Sequence, residues 1–330
     1  MIFRRGVCAV AVGLAATALL VPGCKRSKSG EVTPIVPKVE FNRTKIPAGS
    51  AIEITYTWTV EPGAKRLGQE YRALVHFLDE KRVKLFDDDH IPVPPPSEWE
   101  PGKTYTYKRT RFVPVLPYAG PVEVRMGLYP FPGRGDRLAL KGEDVGLREY
   151  KVASVELQPH TENIYVAWKE GFHAPEAHAE NPMIEQTWTK QNAVISFKNP
   201  KRDVIVYLEA DTCVKCFGDT RPELTLAIGP SVGLKVPIQD PDLFLRKIRV
   251  KAADLGTEEY VDIKLSMNAS FVPKLMSPPQ SNDDRVLGLR ISNVSVVEAE
   301  KVGSVDGVVD AQPLAPPPAP AKTAKPAKTK

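Results

Sequence analysis

Two stretches of the chain alternate strictly between apolar and polar side chains. In residues 51–60, AIEITYTWTV, the even-numbered positions from Ile52 to Trp58 are apolar or aromatic, and the odd-numbered positions between them carry Glu or Thr. Residues 103–113, KTYTYKRTRFV, alternate in a similar way. A period of two residues is typical of an antiparallel strand that packs one face on a core. The pattern therefore predicts two half-buried strands.

Other short runs rich in Val, Ile, Thr and Tyr recur at intervals of about ten residues, with turn residues between them. In the first half they cover 35–41, 71–78, 83–86, 121–129 and 147–157. In the second half they cover 186–189, 193–197, 204–209, 223–228, 244–252, 260–267 and 286–297. Residues 87–102 and 168–181 are expected to be loops, and no helical period persists beyond about two turns. The pattern predicts an all-β protein of two consecutive antiparallel β-sandwiches, Ig-like or jelly-roll-like, over residues 34–157 and 158–300.

The first 24 residues have the layout of an export signal. Two arginines precede an apolar run over residues 7–21, and this run is too short to span a bilayer. The stretch ends in Val21-Pro22-Gly23-Cys24, which resembles the lipobox of bacterial lipoproteins. In that family the cysteine carries lipid on its sulfur and becomes the new N-terminus. An ordinary secretory signal that ends beside a cysteine is the alternative.

The lipobox resemblance implies a cellular location for the protein. It implies a signal peptide over residues 1–23, lipidation of Cys24 and a polar tether over residues 24–33. A lipoprotein cysteine carries more than one acyl chain, which makes attachment to the membrane stable. Lys25 follows the cysteine, at the place where an Asp favours retention in the inner membrane. The resemblance therefore implies a lipid-anchored protein of the cell envelope, at the outer membrane.

The formal charge of +5 is concentrated at the two ends of the chain. The signal, residues 24–33 and residues 302–330 each carry +2, which leaves the body between them at −1. A nucleic-acid groove needs a basic face, so the near-neutral body argues against nucleic acid as a partner. After Glu300 the sequence becomes rich in Pro, Ala and Lys, and residues 301–330 are predicted to form a disordered tail.

Cys213 and Cys216 remain once the signal and the lipid-bearing cysteine are set aside. An exported protein resides where disulfides persist, so a loop-closing disulfide between them is the favoured interpretation. Reduced thiols, thiol-redox chemistry and metal binding stay open as alternatives. A zinc site would need two further ligands, and a thioredoxin-like site would need a helix that begins at Cys213. The sequence offers neither beside this pair.

Two clusters contain the residue types that acid–base chemistry and metal binding use. Asp87-Asp88-Asp89-His90 is the densest acidic stretch, and the second cluster comprises His173, Glu176, His178 and Glu180. Neither has the spacing of an EF-hand or of His-Glu-x-x-His. The sequence also lacks nucleophile-elbow, P-loop and dinucleotide motifs, so no catalytic residue, cofactor or metal is predicted. A hydrolase of envelope polysaccharide that uses these loop carboxylates is the alternative.

Aromatic residues in or beside loops are the remaining clue to a ligand. Sugar-binding sandwiches stack aromatic rings on the apolar faces of sugars, while polar side chains bind the hydroxyl groups. The candidate ligand-binding residues are Trp99, Trp168, Phe172, Trp188, Asp89 and His90. Packing is the alternative for each ring, because aromatic side chains dominate protein cores.

Two patches resemble β-sandwich modules of uncharacterised bacterial envelope proteins. The first runs through His76-Phe77-Leu78, Leu85-Phe86, Asp89-His90-x-Pro92, Trp99-x-Pro101-Gly102 and Gly127-Leu128-Tyr129. The second comprises Phe271-Val272-Pro273 and residues 282–289, NDDRVLGL, in which Asp284 and Arg285 are expected to form an ion pair. Similar modules are appended to membrane glycosyltransferase-like proteins. The resemblance implies an accessory, glycan-facing role and no activity. We therefore expect a non-catalytic envelope protein that contacts the membrane through its anchor and binds a glycan or a protein partner.

Overall fold

The computed structural model describes residues 31–177, 185–276, 278–279 and 281–314. Within these ranges the regular elements are β-strands and short 3-10 turns, so the predicted all-β class is confirmed. The turns cover Pro96–Glu98, His160–Glu162, Val214–Phe217, Ala252–Leu255, Pro273–Leu275 and Ala299–Lys301. The predicted signal peptide, Cys24 and most of the tether lie outside the described residues. In the described part of the chain, no helix has the length and apolar character needed to cross a membrane.

The first sandwich is built from the strands between residues 35 and 158. They are β1 (Ile35–Phe41), β2 (Lys45–Pro47), β3 (Ala51–Val60), β4 (Tyr71–Leu78), β5 (Lys84–Asp87), β6 (Thr104–Phe112), β7 (Gly120–Pro130), β8 (Glu143–Asp144) and β9 (Tyr150–Gln158). One sheet has the order β1-β3-β6, and the other has the order β2-β9-β7-β4-β5 with β8 paired to β9. The pairs are antiparallel except for β2 with β9, which is parallel.

The core of the first sandwich lies between its two sheets, where the alternation places it. Tyr56 and Trp58 of β3 are fully buried, and Val75 and Phe77 of β4 belong to the same cluster from the opposite sheet. β-branched and aromatic side chains fit such a pleated, half-buried surface. Each large apolar side chain that is fully removed from water contributes roughly 2 kcal/mol to this core.

The second sandwich is built from the strands between residues 166 and 313. They are β10 (Val166–Phe172), β11 (Glu176–Ala177), β12 (Glu185–Lys198), β13 (Val204–Asp211), β14 (Glu223–Ile228), β15 (Val232–Pro237), β16 (Phe244–Val250), β17 (Tyr260–Met267), β18 (Arg290–Glu298), β19 (Val308–Asp310) and β20 (Gln312–Pro313). Its apolar core contains Ile195 and Phe197 of β12 and Val206 of β13.

The long strand β12 belongs to both sheets of the second sandwich. Its first half pairs with β18 through Thr187 and Trp188, and its second half pairs with β17 over residues 192–198. One sheet has the order β19-β16-β13-β18-β12, and the other has the order β10-β12-β17-β14-β15-β20. The sequence predicts two separate strands at 186–189 and 193–197. The structure has one continuous strand instead, because the exposed residues 190–192 extend it from one sheet into the other.

The predicted loop over residues 168–181 is wrong in its first part, because β10 begins at Val166 and runs to Phe172 at the edge of the sheet beside β12. Two register shifts interrupt this pairing, and Gly171 lies at the second shift with a φ of +83°. A Cβ at this position would lie 2.1 Å from the carbonyl oxygen of Asn192, so the bulge requires glycine. The end of the predicted loop, residues 178–181, lies outside the described residues.

The chain stays structured beyond Glu300, where the sequence predicts a disordered tail. β19 pairs with β16 and β20 pairs with β15, so residues 302–314, here named the C-terminal strap, run along an edge of both sheets. Val302 is buried, and backbone amides of Ala311 and Leu314 donate hydrogen bonds to carbonyl oxygens of the sandwich. The predicted start of the tail at residue 301 is therefore too early. Residues 315–330 lie outside the described residues.

The two sandwiches contact each other through a small apolar cluster of their own, comprising Ala51, Phe112, Ile205, Tyr207, Val297 and Val302. The rings of Phe112 and Tyr207 meet edge to face with 6.4 Å between their centroids. Beside them, Lys247 of β16 and Glu53 of β3 form a buried ion pair with 2.8 Å between Nζ and Oε1. The outer face of the β16-β13-β18 sheet is therefore covered by the first sandwich.

Candidate functional site

Trp99 lies in the core of the first sandwich. The residue is 1% exposed, and its ring stacks on Tyr105 with 5.5 Å between centroids. Its Nε1 donates a hydrogen bond of 2.9 Å to the carbonyl oxygen of Pro94. The ring thus anchors the long 87–102 loop on the sandwich. The expectation that Trp99 stacks on a sugar is corrected, because neither face of this buried ring is accessible.

His90 belongs to a buried polar cluster with Asp88. Its Nδ1 donates to the backbone carbonyl oxygen of Asp88 at 2.6 Å, and its Nε2 accepts the hydroxyl of Tyr107 at 2.7 Å. The Asp88 carboxylate accepts the Tyr56 hydroxyl at 2.9 Å and two bonds from the Arg109 guanidinium at 2.9 and 3.1 Å. Burial lowers the pKa of His90 to about 4, so its ring is neutral at pH 7. We assign His90 to the structure of the core and withdraw it as a ligand-binding residue.

Asp89 fastens the same loop to the sheet. Its Oδ1 accepts the backbone N–H of Val75 at 2.9 Å, and its Oδ2 accepts the Tyr129 hydroxyl at 3.3 Å. Asp87 forms a separate ion pair with Lys84 at 2.7 Å. The consecutive carboxylates therefore bind different partners, as expected for an extended segment. Within the described ranges, no group of three or more His, Cys, Asp or Glu side chains is arranged to hold a metal ion.

The predicted disulfide between Cys213 and Cys216 is confirmed, and it closes the turn Val214–Phe217 with 5.2 Å between the two Cα atoms. The turn packs into an aromatic cluster at one end of the second sandwich. Phe217 contacts Phe271, and Phe271 and Trp188 meet edge to face with 5.9 Å between ring centroids.

Trp188 is half-buried in this cluster, and a guanidinium lies over its ring. The Cζ atom of Arg290 stands 5.4 Å from the ring centroid. Two hydrogen bonds to Asp211, of 2.7 and 2.8 Å, hold Arg290 in this position. One face of Trp188 is therefore already used, which weakens its case as a stacking surface.

The second acidic cluster is divided between structural contacts and residues outside the described ranges. His173 Nε2 donates to the carbonyl oxygen of Val286 at 2.8 Å. Glu176 and Asp283 both pair with Arg285, so the ion pair of the NDDRVLGL patch uses Asp283 in place of the expected Asp284. The remaining members, His178 and Glu180, lie outside the described residues.

Trp168 and Phe172 are brought together on β10, at the edge of the second sandwich. Their rings meet edge to face with 4.7 Å between centroids. Phe172 packs against the core, whereas Trp168 stays 45% exposed. Trp168 is therefore the sequence-predicted tryptophan that the structure leaves most accessible to a ligand.

Two tyrosines stand on the outer face of the same sheet. Tyr165 precedes β10, Lys198 ends β12 and Tyr260 begins β17, and backbone pairing places the three residues side by side across the three strands. The neighbouring residue on each strand packs on the core, so these side chains point away from it. Tyr165 is 61% exposed and Tyr260 is 44% exposed. We refer to Tyr165, Lys198 and Tyr260 as the tyrosine band.

A charge pair and a free lysine accompany these rings. Lys169 Nζ donates to Asp262 Oδ1 at 2.9 Å, and this hydrogen bond lowers the pKa of the Asp262 carboxyl although partial burial opposes it. Both groups of the pair are therefore charged, and their charges cancel. Lys198 forms no ion pair with any described residue. The band thus presents two rings and one uncompensated positive charge to solvent.

The sequence contains a signal for only part of this band. Tyr260 opens the run YVDIKLSM, in which Val261, Ile263 and Leu265 are buried, so the alternation alone places Tyr260 on the outer face. Tyr165 could not be placed, because the bulged strand β10 carries no regular alternation.

Two depressions on the described surface lie away from the candidate residues, and they hold about 320 Å³ each. One lies between Arg202 and Glu300, and the other lies beside the C-terminal strap at Arg249 and Asp254.

No protein-family model matches the chain. No curated protein sequence matches it either.

Among solved structures, PfGH50B is 9% identical with a TM-score of 0.22, covering 43% of this chain and 24% of that one. The mosquito-larvicidal Cry4Aa toxin from Bacillus thuringiensis is 8% identical with a TM-score of 0.25, covering 81% of this chain and 58% of that one. The collagen adhesin CNA from S. aureus is 8% identical with a TM-score of 0.16, covering 86% of this chain and 97% of that one. The chain thus spans about a quarter of PfGH50B and just over half of Cry4Aa, and at these TM-scores the likeness carries no argument about function.

Proposed function

We propose that the protein is a lipid-anchored component of the cell envelope, held at the outer membrane through Cys24, and that its second sandwich binds a glycan without catalysing a reaction. The resemblance of residues 21–24 to a lipobox supports the proposed location and anchor. The exposed rings of the second sandwich support the binding role.

The observation that carries the binding role is the exposure of Tyr165 and Tyr260 on either side of Lys198, on one sheet face. Aromatic rings stabilise a fold by being buried, so rings held in the open are better suited to a partner than to the core. Sugars offer apolar faces that match such rings. The carboxylates of the 87–90 loop already bind protein groups, which favours binding over the hydrolase alternative.

A glycan array with full-length protein in detergent tests the binding role. We expect binding to at least one envelope-type glycan, and we expect the double variant Tyr165→Ala/Tyr260→Ala to lose it. Phe131→Ala removes an exposed ring from the first sandwich and is the matched control. Failure to bind any glycan would overturn the proposal and redirect the search to a protein partner.

Mass spectrometry of the mature N-terminus tests the anchor separately. We expect a peptide that begins at Cys24 and carries acyl groups, and Cys24→Ser is the control that cannot be lipidated. An unmodified Cys24 in the mature protein would overturn the proposed membrane anchor and would not affect the proposed glycan binding.

A further inference from the structure

The tyrosine band is the part of the second sandwich that is best placed to meet an extended ligand. The outer face of the opposite sheet is covered by the first sandwich through Ile205 and Tyr207, so only one broad sheet face remains open. The band lies on that open face. Neither tyrosine hydroxyl is bound by another side chain within the described ranges.

The spacing of the rings indicates the shape of the ligand. Tyr165 and Tyr260 stand on strands separated by one intervening strand, so their backbones lie roughly 9 to 10 Å apart. This separation is close to the length of two pyranose units in an extended β-linked polysaccharide. Each ring can therefore stack on one sugar, with a single sugar between them.

The charge between the rings indicates the chemistry of that middle sugar. Lys198 occupies the central position and has no ion-pair partner among the described residues, while Asp262, which lies opposite Ser196 on the neighbouring strand, is already bound by Lys169. A carboxylate on the ligand would complete this arrangement through a charge-assisted hydrogen bond. A neutral sugar would leave the ammonium group to water.

We propose that the tyrosine band binds a linear, acidic, β-linked polysaccharide, with Tyr165 and Tyr260 stacked on alternate sugars and Lys198 paired with the carboxylate of the sugar between them. This assignment rests on the proposed glycan-binding function and specifies its ligand class. The band lies on an open sheet face, and the two surface depressions described above lie elsewhere, which favours a long chain lying across the strands over a small molecule.

The test compares one backbone with and without carboxylates. Full-length protein in detergent is titrated by calorimetry with cellohexaose and with its C6-carboxylated counterpart. We expect the carboxylated chain to bind about tenfold more tightly, which is the scale of one charged hydrogen bond. Lys198→Gln should abolish that preference while retaining binding of the neutral chain. Tyr165→Ala and Tyr260→Ala should each weaken both ligands about tenfold.

Lys235→Gln is the matched control, because it removes an equal charge from β15 of the same sheet, away from the band. It should leave both affinities unchanged. Equal binding of the two ligands, or an unchanged preference in Lys198→Gln, would overturn the assignment of the acidic sugar while the glycan-binding proposal stands. Binding of other glycans on the array without binding of either chain would also overturn this inference alone. No binding to any glycan would overturn both.

Discussion

Acidification should destabilise the protein through His90. The pKa of His90 is about 4 in the folded protein because burial disfavours the charged ring. In the unfolded chain a histidine has a pKa of about 6.5. The unfolded chain therefore binds the proton more tightly, and the resulting stability is fully present above pH 6.5 and is lost as the pH falls towards 4. The difference of about 2.5 pKa units corresponds to about 3 kcal/mol in total, of which about 2 kcal/mol is lost by pH 5.

Denaturant unfolding between pH 7.5 and pH 5 measures this loss. His90→Gln should be less stable at pH 7.5, because it breaks the bonds to Asp88 and Tyr107, but its stability should fall by about 2 kcal/mol less over the same pH range. His160→Gln, which alters an exposed histidine, is the control and should keep the full pH dependence. A folded-state NMR titration of the His90 ring with a midpoint near 6.5 would refute the reasoning, as would an unchanged pH slope in His90→Gln.

Three further perturbations test the contacts that hold the fold together. A chain that ends after Glu300 should melt at least several degrees below a chain that ends after Leu314, because it loses the buried Val302 and the edge pairing of the C-terminal strap. Equal melting temperatures would contradict the role of the strap in stabilising the fold. Lys247→Met should cost about 3 to 5 kcal/mol, because the buried Glu53 carboxylate loses its cation and keeps the Thr110 hydroxyl as a donor; adding Glu53→Gln should restore much of this loss in a double-mutant cycle. Reduction of the Cys213–Cys216 disulfide should lower the free energy of unfolding by about 2 kcal/mol or less, because the loop that it closes is very short. A larger loss, measured by urea unfolding, would show that the bond does more than restrain the unfolded chain.

Alternation predicted β3 and β6, and both strands appear where the sequence places them. It did not show that Ala51, Glu53 and Phe112, on the other face of these strands, are buried at the contact with the second sandwich. The disulfide was also predictable, because the sequence offers this cysteine pair neither two further metal ligands nor a helix that begins at Cys213. In each case the signal is local, and nothing distant in the chain has to be known.

Elements that depend on distant partners were not predictable. The C-terminal strap has short strands of two or three residues, and only the edges of β15 and β16 make them strands. The bulge at Gly171 breaks the period of β10 and hides it. Trp99 and His90 were candidate ligand-binding residues because loops usually face solvent, but their loop folds back over the sandwich and buries both.

The docking of the sandwiches determines which of the exposed features can serve a ligand. Burial of Ile205 and Tyr207 against the first sandwich uses one sheet face of the second, and the C-terminal strap covers an edge where β15 and β16 would otherwise end unpaired. The face that remains open carries the tyrosine band, and the edge that remains open carries Trp168. A ligand that crosses the strands from Tyr260 to Tyr165 would leave the sheet beside β10, where Trp168 is exposed. If a chain longer than three sugars is bound, Trp168→Ala should therefore weaken binding of long oligosaccharides and leave trisaccharides unaffected, and an unchanged affinity for both lengths would show that the ligand does not continue past β10.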